Sequence, residues 1–198
     1  MITFSLNTFI KVCLLDTGGR ISEIQKKLEP GSGYDFYHSF QRATKLSFSG
    51  EHIEEINEVL DAPVKKVERD YNRAAFEKVK SKFGKQKNIE TLEAKTSLKF
   101  PKFDVEISVD PLLSFEKSGS IQTLSFWLAQ KPELTQRYAA VACYLMREAY
   151  KDSPLANSNF FYHDTIKGKT YSEKQITANT SLILEADLSV LSKMLKEL

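Results

Sequence analysis

Residues 103 to 128 read FDVEISVDPLLSFEKSGSIQTLSFWL, and within them the apolar pattern changes from helical spacing to period two. Val105, Ile107 and Val109 alternate with Asp104, Glu106, Ser108 and Asp110. This predicts a strand with one dry face and one face rich in carboxylates. Lys117-Ser118-Gly119-Ser120 then turns the chain, and Ile121 to Leu128 returns as the second strand of a hairpin.

On the N-terminal side of this stretch the spacing is helical. Phe4, Phe9, Ile10, Val12, Cys13 and Leu14 predict a first helix that stops at Gly18-Gly19, and Ile21, Ile24 and Leu28 a short second one ended by Pro30-Gly31. Asp35 is placed to cap a third helix and Ser49 a fourth, whose stripe is Ile53, Ile56, Val59 and Leu60. Asp61-Ala62-Pro63 reads as the start of a fifth, long helix that runs to Phe83 and stops at Gly84. On the C-terminal side, Pro132 to about Lys151 is helical, and Phe160 to Ile166 is rich in strand formers. Ser172 and Gln175 fit a capping box. Leu184, Leu188, Leu191 and Leu195 mark a last helix. The expected class is therefore α+β. A helical region, 1–100, packs on a C-terminal α+β region, 101–198, with a hairpin, a further strand and two long helices. The boundary falls near Lys95 to Pro101, and the two regions can share one compact unit.

Composition narrows the function classes. With 198 residues, 41% hydrophobic and 11% aromatic, the chain can bury a real core. Its net charge of +2 does not demand a polyanionic partner, so any such case rests on local clustering. Cys13 and Cys143 sit in apolar helical contexts without CxxC spacing, which reads as buried reduced thiols. No run approaches the roughly 18 apolar residues of a membrane span, and no leader pattern opens the chain. A cytoplasmic, bacterial protein without cofactor or membrane partner is expected.

The densest charge lies between Ala62 and Lys87, with nine Lys/Arg against three acids. At 100° per residue Lys65, Lys66, Arg69, Arg73 and Lys80 share one third of the helix circumference, opposite Val64, Val67, Tyr71, Ala74 and Ala75. Such a ridge can meet phosphates, although no aromatic is interleaved for base stacking. Asp104, Glu106, Asp110 and Glu116 form the alternative, an acidic site around the hairpin. His52 with Glu55 is one i, i+3 pair, His163-Asp164 ends a predicted strand, and His38 opens a short helix. None of these supplies a nucleophile or a full metal set, and no metal site is expected. Gly31-Ser32-Gly33 lacks the Lys-Ser/Thr of a P-loop and reads as a connector.

A helix, a hairpin and a further helix–strand pair resemble the core of the PD-(D/E)XK nuclease-like superfamily, with Asp110-Pro111 near its acidic position. That resemblance implies a carboxylate and a lysine two apart on the second strand, where i, i+2 spacing puts both on one face to hold Mg²⁺. Gln122-Thr123-Leu124 and Ser125-Phe126-Trp127 supply no such pair, so what it implies is a degenerate, non-catalytic relative. Tyr34-Asp35-Phe36-Tyr37, the stretch from Val109-Asp110-Pro111 to Leu128, and Leu134 to Ala149 together resemble an uncharacterised family of bacterial proteins. That likeness bears on architecture alone. The expected function is a non-enzymatic binding or adaptor protein whose partner is a protein or nucleic acid. The alternative is a metal-dependent phosphodiesterase or nuclease with a rearranged acidic site.

Overall fold

The computed structural model describes residues 1–29 and 35–198, so the Gly31-Ser32-Gly33 connector lies outside the described residues. The protein is α+β and holds two sheets. The first has three strands, with β1 (Ile2–Ser5) parallel to a central β4 (Val105–Val109) and β3 (Thr96–Phe100) antiparallel to it. The second has five, in the order β2 (Glu90–Thr91), β5 (Leu113–Lys117), β6 (Ser120–Trp127), β7 (Asn159–Asp164) and β8 (Lys169–Ser172). β6 and β7 are parallel and joined through α6 (Gln136–Tyr150); the remaining pairs are antiparallel.

Side chains leave the five-stranded sheet on both faces into two cores. Trp127, Phe160 and Tyr162 enter one, shared with the three-stranded sheet, α1 (Leu6–Leu14), α6 and α7 (Thr180–Glu197). Leu124, Phe126 and Leu128 enter the other, under α3 (His38–Phe48), α4 (Ile53–Asp61) and α5 (Lys66–Phe83). Because β6 is covered on both sides, its sequence does not alternate. The period-two reading of β4 holds. Val105, Ile107 and Val109 are fully buried in the same cluster as Leu145, and Glu106 and Ser108 point to the wetter side.

Its predicted partner does not hold. The hairpin pairs 113–117 with 120–127, from Leu113↔Leu124 to Lys117↔Ser120, and 105–109 belongs to the other sheet. Ser118 and Gly119 both have positive φ (52° and 75°), the geometry of a two-residue hairpin turn, which leaves Lys117 and Ser120 directly paired. That register reaches back only to Leu113, and Asp110-Pro111 separates the two strands.

The N-terminal half is also less uniformly helical than expected. Residues 2–5 form β1, and the Ser5 side chain then caps α1 by accepting from Thr8 N. Gly18 and Gly19 lie in the first turn of α2 (Thr17–Leu28), where Asp16 accepts from Gly19 N. Asp35 accepts from Tyr37 N, just ahead of α3. Ser49 ends α3, and no side chain caps α4. α5 ends before Gly84 as anticipated, but it starts at Lys66 rather than at Asp61-Ala62-Pro63, because Asp61 is the last residue of α4, and it buries a different face. Its buried residues include Asn72, Ala75, Phe76, Val79 and Phe83, while Val64 and Val67 are 93% and 76% exposed. Burying the larger Phe76–Val79–Phe83 stripe sets that rotation.

Candidate functional site

The carboxyl ends of three parallel-paired strands from both sheets open into one cleft of about 800 Å³, contributed by Ser5 of β1, Ser108 and Asp110 at the end of β4, and Ser125 to Trp127 of β6. Crevices at strand carboxyl ends are where α/β proteins place ligands. The first turn of α1 forms one wall, Glu23, Lys26 and Lys27 of α2 another, and Phe36, Tyr37 and Phe40 a third.

Hydrogen bonds fix this lining. Asn7 Nδ2 donates to the Phe126 carbonyl at 2.9 Å, and Asn7 Oδ1 accepts from the Tyr162 hydroxyl. The first turn of α1 is thereby pinned across β6 and β7. Phe36, Tyr37 and Tyr71 form an aromatic trio with ring centroids 5.1 to 6.0 Å apart, and the Tyr71 hydroxyl donates to the Leu128 carbonyl. Burial, with Asp35 adding to it, pushes the Tyr37 phenol up, so that ring stays neutral. Phe36 and Tyr37 remain half-exposed at the cleft.

The charges in the cleft are Lys11, Lys26, Lys27 and Lys95 against Glu23, Asp35 and Asp110. Glu23 takes Lys11 at 2.7 Å and Lys26 at 3.0 Å. Burial raises its carboxyl, but the two ammoniums outweigh that and the net shift is downward. Asp35 accepts from Tyr37 N with one oxygen and from Gln41 Nε2 with the other. Asp110 differs. Desolvation raises its carboxyl most, Lys45 and Lys95 pull it down, Glu93 pushes it up, and the net shift is upward. Ser125 is 5% exposed and its hydroxyl has no hydrogen-bond partner among the described residues. A polar group orphaned in this way costs about 1–3 kcal/mol.

The basic set from α5 does not form one free ridge. Lys65 and Lys66 are exposed at its start. Arg69 donates to the Pro63 and Val64 carbonyls, Arg73 donates to Asn57 and Asp61 at 2.9 Å, and Lys80 Nζ lies 5.6 Å from the Phe76 ring. Both arginines are thus spent holding α5 to α4 and to the segment before it. The acidic set does not come together either. Asp104 and Asp110 flank opposite ends of β4, about 20 Å apart at the strand rise. Asp104 pairs with the N-terminal ammonium, Glu106 accepts from Thr3 and Ser97, and Glu116, on the other sheet, accepts from Asn88. Only Asp110 lines the cleft. Among the described residues no three of His, Cys, Asp and Glu are grouped to hold a metal ion.

His163 is 1% exposed, packs edge-on against Phe83 and Phe126, and shares a 2.8 Å hydrogen bond with Thr170. Burial, with Lys82 nearby, lowers its pKa to about 3. Asp164 Oδ1 accepts from the Ile166 and Lys167 amides and closes the turn after β7. Both are structural. His52 and Glu55 are exposed at the start of α4, and His38 is exposed at the start of α3. Cys13 and Cys143 are buried free thiols, and burial pushes Cys143 up to about 12.

The cleft residues Ser5, Asn7, Tyr37 and Ser125 were not singled out by sequence reasoning. They share no motif and meet only through strand pairing. The one signal that pointed near them was the carboxylate strand ending at Asp110. Among the described residues no helix is long and apolar enough to cross a membrane. No family model matches the chain, and no curated protein matches it. Among solved structures, that of the protein named "Putative exonuclease" from Eubacterium rectale is similar over 98% of this chain and 80% of that one. The identity is 9% and the TM-score 0.44, too loose a likeness to transfer a fold family or an activity.

Proposed function

We propose that this protein is a non-enzymatic binding protein that holds single-stranded nucleic acid in the cleft at the carboxyl ends of β1, β4 and β6. The observation that supports it is the pair of half-exposed rings, Phe36 and Tyr37, standing among lysines in one cleft. Aromatic faces beside cations are what unpaired bases and their backbone require, and each stacked base contributes about 1–3 kcal/mol. This interleaving is what the α5 ridge lacks. The scattered acids speak for binding over hydrolysis, because metal-assisted cleavage needs converging carboxylates.

The test is fluorescence anisotropy with a labelled 12-nucleotide single strand at low salt. Tyr37→Ala and Phe36→Ala each weaken binding at least fivefold, while Lys66→Glu on α5 changes it less than twofold. No binding of DNA or RNA at low salt overturns the reading in favour of a protein partner. Cleavage with Mg²⁺ or Mn²⁺ that Asp110→Ala abolishes would instead promote a phosphodiesterase using that carboxylate.

A further inference from the structure

We propose that the N-terminus of α1, with the Ser125 hydroxyl beneath it, is a phosphate subsite of the cleft. The subsite rests on the binding reading just given and adds the chemistry of one ligand group to it.

Two independent observations meet there. The first is the helix itself. α1 has nine residues, its opening residues Ser5 to Thr8 line the cleft, and its first turn contains no acidic side chain. A helix N-terminus presents backbone N–H groups and a partial positive charge; the Ser5 hydroxyl caps the Thr8 amide, and no acidic side chain in the first turn adds a negative charge. The second is Ser125. It sits on the β6 face that carries Trp127, directly beside Tyr162 in the parallel register, and the Tyr162 hydroxyl reaches Asn7 in the first turn of α1. Ser125 therefore lies under that turn, lines the cleft, is 5% exposed, and has a hydroxyl without a partner among the described residues. A buried hydroxyl without an acceptor among the described residues, beside a helix N-terminus whose first turn holds no acid, offers the donor set that a phosphate takes.

The surroundings fit. Lys11 stands one turn along α1, with Glu23 bridging it to Lys26. The Asn7 bonds to Phe126 and Tyr162 hold the turn in place before any ligand arrives, so little ordering remains for binding. Of the three cleft carboxylates, Glu23, Asp35 and Asp110, the last is an opposing charge. It follows Ser108, which pairs with Ser5 across the three-stranded sheet, and so stands at the rim beside the subsite.

The experiment uses the full chain and three probes: inorganic phosphate, a single strand ending in a phosphomonoester, and the same strand ending in a hydroxyl. In ¹H–¹⁵N correlation spectra, phosphate shifts the Leu6, Asn7 and Thr8 amides saturably. The phosphorylated strand binds at least tenfold more tightly than its hydroxyl counterpart. Ser125→Ala removes that preference, so that the two strands bind alike, with Trp127 fluorescence reporting an intact fold. Thr8→Asp, which gives the helix its own anion, also abolishes the response to phosphate. Equal binding of the two strands by the wild type overturns the subsite while the cleft reading stands, as does a preference that survives Ser125→Ala. Amide shifts with phosphate, without binding of either strand, support the subsite and sink the nucleic-acid reading.

Discussion

Asn7 accepts the Tyr162 hydroxyl on its Oδ1 while its Nδ2 donates to the Phe126 carbonyl, so a single amide side chain on α1 bridges two adjacent parallel strands. Tyr162 is fully buried and Asn7 borders the cleft, which makes the bond a strut between core and site. Tyr162→Phe leaves Asn7 Oδ1 without its donor and costs about 1–3 kcal/mol. Urea unfolding followed by the fluorescence of Trp127, the sole tryptophan, measures the loss. An unchanged midpoint would refute the strut.

The Arg20 guanidinium pairs with Asp187 at 3.1 Å, with side chains 15% and 11% exposed, and also donates to the Cys13 and Leu15 carbonyls. Asp187 Oδ2 in turn accepts from the Tyr138 hydroxyl at 2.9 Å. Four helices, α1, α2, α6 and α7, meet through this network. Removing one partner of a buried pair strands the other charge, so Asp187→Ala destabilises the protein by about 3–5 kcal/mol. Arg20→Met with Asp187→Leu recovers most of that loss. Calorimetric melting of the wild type and the two variants decides it.

Ile107 is fully buried at the centre of β4, between Phe4 on β1 and Leu98 on β3. Ile107→Asp places an unpaired charge in that core and costs several kcal/mol. A melting temperature equal to the wild type would show that the strand is not built into the core.

His163 gives stability a defined acid limit. Its folded pKa, about 3, lies below the ordinary 6.5, so the unfolded chain binds the proton more tightly. The His163 contribution is complete above pH 6.5 and is lost progressively as the pH falls toward 3, a difference of a few kcal/mol. Urea midpoints between pH 7 and pH 4 fall steeply in the wild type. They fall less in His163→Leu, and parallel curves would contradict the assignment.

Asp110 at the cleft rim is the charge that opposes an anion. Asp110→Asn strengthens binding of the phosphate-ended strand at pH 7.5 by a few-fold, the yield of about 1 kcal/mol of Coulomb repulsion removed. Anisotropy titrations read the change. Weakened binding would show that the carboxylate supports the ligand.

Local signals in the sequence survive into the structure where one residue or one turn enforces them. The period-two strand at Val105–Val109, the turn at Ser118-Gly119, the stop at Gly84 and the Ser172–Gln175 capping box are of this kind. Pairing was not readable. β1 joins β4 in parallel, without a turn to announce it, and Leu113 to Phe115 are buried side by side and show no alternation. On α5 the moment was drawn from Val64 and Val67, but the bulk of Phe76 and Phe83 decides which side goes in. The cleft shares this difficulty, because Ser5, Tyr37, Ser108 and Ser125 become neighbours only after both sheets have formed.

The parallel pairing of β1 with β4 carries a kinetic consequence. Thr3 and Glu106 touch across 103 positions, and the loop they close contains, among the described residues, five α-helices and two further strands. A contact of that span is reached slowly, after local hairpins and helices have condensed. The β3–β4 pair can assemble early as a two-stranded template, and β1 docks onto its free edge late. Since α1 follows β1 directly, the cleft is completed in that same final event. The cleft is therefore complete only when the chain has finished folding, and partly folded molecules lack it.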